Sequence, residues 1–205
     1  MGIFNQDYQF WIPLLGLYTG ARREELCQLY VEDLKVDDNG IWYLDILTDT
    51  PDKTLKNQSS KRIVPLHPFV IEMGFPQYVK TLEQTGRIFP ELTKSKAGKK
   101  YGHYVGKWFN GLLGKMGIKP DDPKNEPNKT LHSFRHGFIT MLTQAGVDSI
   151  ILKQVVGHSE KGVTFSNYFK GFTVKQLYDG VICRIDHGID LEYLKGSKWA
   201  KTGEE

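Results

Sequence analysis

Cysteine is nearly absent, with Cys27 and Cys183 the only two in 205 residues. They stand far apart, each on an expected helix beside apolar neighbours, and read as reduced core residues. They offer neither a disulfide framework nor zinc spacing. The longest apolar run, Phe10 to Tyr18, is too short for a bilayer and is interrupted by Pro13. No secretory signal, internal repeat or low-complexity stretch is visible. Acidic residues are missing from one place in particular. None occurs between Glu91 and Asp121, where Lys94, Lys96, Lys99, Lys100, Lys107, Lys115 and Lys119 all fall. No Asp/Glu cluster suited to Mg²⁺ is present either. These absences lead to an expectation of a soluble protein in a reducing cytoplasmic compartment, with no membrane segment, metal or cofactor.

A hydrophobic content of 40% suits one globular domain with a sizeable core. A net charge of +3 says little about partners, but its distribution says more. The acid-free block, with Lys94, Lys96, Lys99 and Lys100 at its front, is a candidate phosphate-facing patch. A solvated loop and helix face is the alternative.

Taken in order, the chain begins with a buried helix, FWIPLLGLY. Entry into it so soon after Met1 suggests upstream sequence cut away, with Met1-Gly2 an expression scar. Thr19-Gly20 supplies a turn, and a helix beginning near Arg22 carries Leu26 and Leu29 to the core. Asp37 to Gly40 reads as a turn into the strand IWYLDIL. A polar loop then leads to a second strand, Arg62 to Leu66, with Lys56 near its tip. From Pro68 to Thr85 the pattern is helical with a break at Gly74. YVGKWFNGLLGKMG carries an apolar stripe of Val105, Trp108, Phe109, Leu112, Leu113 and Met116. Asp121 to Lys129 reads as a linker. Thr173 caps a last helix with Val174, Leu177, Val181 and Ile182 on one side. The polar tail, 196–205, is expected to be mobile.

The stretch from His132 to Tyr168 organises the rest. Thr130 caps a helix whose Phe134, Phe138, Ile139 and Leu142 recur at helical spacing. His132 and Arg135, three residues apart, project from one face of it. Asp148 caps a second helix, Ser149 to Val156, which Gly157 closes as a left-handed cap. His158 follows at the change of direction, and Tyr168 lies ten residues beyond. Two histidines, an arginine and a tyrosine can therefore meet around one ligand. A phosphodiester fits, since guanidinium forks phosphate oxygens and imidazole donates to them or moves protons. Upstream, Arg22 and Glu25 are also three apart, so the carboxylate can steady the guanidinium.

TGARREEL, a loop lysine before KRIVPL, LHSFRH, VVGHS and a tyrosine ten residues further on together resemble the tyrosine recombinases of the phage-integrase type. The resemblance runs from Trp11 to about Ile185. Any one motif is weak, and HxxR alone arises by chance in many helices; their order carries the likeness.

The resemblance implies an α+β domain, mainly helical, with a small antiparallel sheet at one edge. It implies a single catalytic domain over 1–205, with the family's N-terminal DNA-binding domain absent. It implies site-specific cleavage and rejoining of double-stranded DNA through a 3′-phosphotyrosyl link, in integration or excision of a phage or other mobile element. Arg22 and Arg135 match the catalytic arginines, Glu25 the acidic support and His132 the histidine of HxxR. His158 matches a position held by histidine or tryptophan. Lys56 matches the loop lysine, with Lys53 and Lys61 as competitors. Tyr168 matches the nucleophile, ahead of Tyr178. Assembly into a tetramer on DNA and a bacterial cytoplasm or nucleoid location are family implications. A type IB topoisomerase-like enzyme and a catalytically silent DNA-binding module are the rival readings.

Overall fold

The computed structural model describes residues 4–47, 50–53, 61–82, 86–96, 98, 100–118, 129–158 and 171–201. Helix α1, Asp7–Thr19, is apolar on every side and buries Phe10, Trp11, Ile12, Leu14, Leu15 and Tyr18. Such a helix belongs in the middle of a domain. It runs through Pro13, whose local cost of about 3 kcal/mol is small beside the burial of six large side chains at about 1.5–3 kcal/mol each.

Gly20 closes α1 in the left-handed conformation, φ +60°. A Cβ there would stand 2.6 Å from the Phe138 ring, so only glycine allows this close approach. Helix α2, Arg23–Cys27, follows directly. It is shorter than the expected helix, although both Leu26 and Leu29 reach the core.

Strands β1, Leu34–Val36, β2, Trp42–Ile46, and β3, Arg62–Pro65, form one antiparallel sheet in that order. The Asp37–Gly40 turn is held by Asp37 Oδ1, which accepts from the N–H groups of Asn39 and Ile41. Leu44 pairs with Val64, and both are fully buried. Alternation from Val64 carries Arg62 onto the same inward face.

Helices α3, Pro68–Glu72, and α4, Phe75–Lys80, are separated at Gly74, as expected. Helix α5, Gly102–Lys115, buries Val105, Phe109 and Leu113, while Met116 is exposed beyond its end. Glu24 accepts from the N–H groups of Tyr101 and Gly102 and so ties α2 to the start of α5. Helices α6, Leu131–Gln144, and α7, Ser149–Val156, have the boundaries their caps imply. Helix α8, Val174–Gly180, begins at the Thr173 cap and buries Leu177.

Two expectations change. Cys27 is buried but Cys183 is exposed, because Cys183 sits on a 3-10 turn, Ile182–Arg184, and not on a core face. The tail is docked as far as Lys201, whose N–H donates to the Met73 carbonyl at 2.9 Å, and Trp199 packs against the core. Among the described residues no helix is long and apolar enough to cross a membrane.

Candidate active site

The site grows from the C-terminal end of α7. The last carbonyls of any helix lack intrahelical donors, and that end carries partial negative charge. Here three arginines from three other parts of the chain meet three consecutive carbonyls. Arg62 Nε donates to Val155 at 2.6 Å, Arg135 Nη2 to Val156 at 2.5 Å and Arg22 Nη2 to Gly157 at 3.3 Å.

Gly157 makes the corner possible. It has φ +68°, and a Cβ would meet the Arg62 guanidinium at 3.0 Å. Its own N–H bonds Gln154, and the His158 N–H bonds Lys153. These two bonds form a Schellman stop, which fixes where His158 leaves the helix.

Arg135 is 3% exposed, and its Nη1 also donates to the Gly20 carbonyl at 2.6 Å. One guanidinium therefore ties α6 to the end of α1 and the end of α7. Burial and the charges of Arg22 and Arg62 push its pKa down to about 10, which leaves it cationic at neutral pH. His132 is exposed at the rim, one helical turn before Arg135, with its N–H on the Thr130 hydroxyl. Its ring lies edge-on to His136, centroids 4.8 Å apart.

Burial, then His136, Arg135 and Arg22, hold His132 below the usual imidazole range. Burial, then Arg135 and Arg22, do the same for His158. Both are thus neutral at pH 7, the form that can accept a proton or present one N–H. The same two arginines act on both histidines, which places Arg22, Arg135, His132 and His158 around one centre.

Glu25 lies beneath this centre, its side chain 3% exposed. Its Oε1 accepts from Arg22 Nη1 at 2.8 Å, and its Oε2 accepts from the Arg22 N–H at 2.8 Å. Arg62 forks the same carboxylate, Nη2 to Oε2 at 2.8 Å and Nη1 to Oε1 at 3.2 Å. Burial pushes the Glu25 pKa up, but the charge and hydrogen bonds of Arg62, then those of Arg22, bring it below the ordinary value. Arg62 was anticipated only as the start of a strand. Its signal was period-two alternation with Val64, which sets a charged side chain on an apolar face.

Lys56, Tyr168 and Lys99 lie outside the described residues. Lys53, the competitor of Lys56, is 7% exposed, its Nζ stands 2.7 Å from Asp33 Oδ1, and it borders a small cavity shared with Glu25. Lys61 is exposed. Tyr178 borders a separate cavity of about 380 Å³ with Trp42, Leu66 and Ile71. Burial and Cys183 raise its pKa, the opposite of what a nucleophile needs. Lys94, Lys96 and Lys100 are exposed, with Lys94 over the Tyr101 ring.

Arginines held at fixed angles beside two neutral imidazoles define a centre suited to transfer at a phosphodiester. Residues 9–173 match the phage integrase family, and the chain belongs to that family. It is 31% identical over 168 residues to tyrosine recombinase XerD of Staphylococcus epidermidis, covering 78% of this chain and 50% of the relative. The chain thus spans about half the length of the curated relatives it matches.

Among solved structures, the integrase of mycobacterium phage Brujita superposes with a TM-score of 0.56 at 18% identity, over 89% of this chain and 53% of that one. The Tn1549 transposon integrase, solved with circular intermediate DNA, gives 0.52 at 22% identity, over 84% and 56%. Both likenesses are of fold: a mainly helical α+β domain with a small antiparallel sheet.

Proposed function

We propose that this chain is the catalytic part of a site-specific DNA recombinase acting on double-stranded DNA. The observation that carries the reading is the pair Arg22 and Arg135, both hydrogen-bonded to the Val156–Gly157 corner from which His158 emerges. Guanidiniums anchored on backbone carbonyls need no reorganisation as negative charge builds on non-bridging phosphate oxygens.

In this mechanism Tyr168 attacks the scissile phosphorus. An O–P bond to the tyrosine forms, the P–O5′ bond breaks, and the tyrosine proton passes to His132. An unperturbed tyrosine has a pKa of about 10, so a nearby base and positive charge are required. His158 donates to a non-bridging oxygen. Lys56 protonates the leaving 5′-oxygen. The phosphotyrosyl link keeps the bond energy, so the strand can be rejoined without ATP.

Cations take the part a metal would play, and the cleavage step is metal-independent. Tetramer formation on DNA, integration or excision of a mobile element, and a cytoplasmic setting complete the proposal. It is supported by family membership and by the chemistry of the four described groups.

The test is covalent capture on a nicked suicide substrate carrying the target site, resolved on a denaturing gel. Wild-type protein should form the adduct equally with and without EDTA, and Arg22→Ala and Arg135→Ala should not. Loss in EDTA with recovery in Mg²⁺ would overturn the metal-free step. Absence of an adduct on any nicked DNA would favour a silent DNA-binding module.

A further inference from the structure

Arg62 has no part in the mechanism above, yet its side chain is only 1% exposed and is held at the site by Glu25 and Val155. It reaches the Val155 carbonyl, 93 residues away in sequence, and the Glu25 carboxylate, 37 residues away. We infer that Arg62 is a positioning residue for strand cleavage, matching the charge of Glu25 so that the charge of Arg22 is left for the scissile phosphate. The inference rests on the strand-cleavage reading.

The Glu25 carboxylate is buried away from water, where an unmatched charge is costly. Glu25 receives four donors, two from Arg22 and two from Arg62. Of the two cations, Arg22 is the one that faces outward, with its side chain 20% exposed. With Arg22 alone, the buried carboxylate would draw on the same guanidinium that has to meet the substrate.

With Arg62 present, the trio keeps one net positive charge, and that charge sits on its exposed member. Arg135 on α6 adds to the field at Glu25, and the Lys53–Asp33 pair borders a small cavity shared with Glu25. Among the described residues, neither donates a hydrogen bond to the carboxylate. The bond from Arg62 to Val155 also braces the turn of α7 immediately before the Arg135 and Arg22 carbonyl contacts. Arg62 therefore orients Arg22 through Glu25 and orients His158 through α7.

A merely structural arginine would affect stability and leave the pH profile of cleavage in place. The experiment compares wild type, Arg62→Gln, Arg62→Lys, Glu25→Gln and the Arg62→Gln/Glu25→Gln double variant. Adduct formation on the suicide substrate and Tm are both followed from pH 5 to 8, with non-covalent DNA affinity measured separately.

Arg62→Gln should slow cleavage by about tenfold or more at neutral pH, with affinity changed by no more than about twofold. It should also add an acid-side loss of rate, as Glu25 begins to protonate at higher pH. Arg62→Lys should remove most of that acid-side loss while recovering only part of the rate, since lysine keeps the charge but cannot fork. In the Glu25→Gln background, Arg62→Gln should add little.

A wild-type profile for Arg62→Gln, or a slowing that is pH-independent and persists beside Glu25→Gln, overturns the inference. If Arg62→Gln does not fold, wild-type rates for Arg62→Lys do the same. Wild-type protein that forms no adduct overturns the cleavage reading. The Tm difference between Arg62→Gln and the double variant then reads the Glu25 titration directly, and no upward move of that titration overturns the charge-matching role.

Discussion

Arg135 donates to the Gly20 carbonyl at 2.6 Å, across 115 residues of chain. With its second bond, to Val156, the guanidinium staples the end of α1 to the end of α7. The orientation that suits a phosphate is therefore set before any substrate arrives. Lysine keeps the charge but has one point donor in place of the planar fork. Arg135→Lys is expected to lose about 1.5–3 kcal/mol in denaturant unfolding, and adduct formation should fall by about 100-fold or more. Near-wild-type cleavage with lysine would mean that charge alone suffices there.

Glu25 yields the largest stability effect. Glu25→Ala leaves Arg62 buried without its carboxylate and should cost about 3–5 kcal/mol. The carboxyl titrates lower in the folded protein than in the unfolded chain. Its stabilisation is therefore fully present above the unfolded value of about 4.3 and is lost as pH falls through the folded value. The stability gap between wild type and Glu25→Gln should narrow below about pH 4.3 and stay flat above it. Equilibrium unfolding across that range checks the sign.

Lys53 and Lys56 are separated by leaving-group chemistry. Replacing the bridging 5′-oxygen by sulfur gives a leaving group with a pKa near 8.5, which needs little proton donation. Lys56→Ala should be slow on ordinary DNA and largely rescued on the sulfur-bridged strand. Lys53→Ala should instead lower stability, because Asp33 loses its buried partner, and any slowing should persist on both strands. Rescue of Lys53→Ala would contradict the structural role given to it.

The exposed lysines before α5 predict a salt dependence. Replacing Lys94, Lys96 and Lys100 by Ala should flatten the plot of log affinity against log salt by about 0.9 for each phosphate contact removed. An unchanged slope returns the block to a solvated face.

What the sequence disclosed was mostly local. Thr130, Asp148 and Gly157 mark the ends of α6 and α7 because caps are chosen by nearest neighbours. Asp37 to Gly40 marks its turn for the same reason. Strand β1, three residues long, shows no readable alternation and went unanticipated. Helix α2 stops early because the Tyr30 N–H goes to Asp33 Oδ2, starting a different turn. Lys53 was legible only as a competitor for the loop lysine, because its partner Asp33 lies 20 positions away. The grip of Arg62 on Glu25 and Val155 depends on how β3 and α7 pack, which the local pattern does not encode. Arg22, Glu25, His132, Arg135 and His158 were legible as a set through motif order, but the attachment of Arg22 and Arg135 to successive carbonyls at the end of α7 was not.

In the proposed mechanism Tyr168 forms the covalent link to DNA. The direct measurement is mass spectrometry of the peptide linked to DNA after suicide-substrate capture and proteolysis. A 3′-phosphotyrosyl adduct on Tyr168, absent from Tyr168→Phe protein that still binds DNA, is the predicted result. An adduct on Tyr178 or any other residue, or one that persists in Tyr168→Phe, would contradict it.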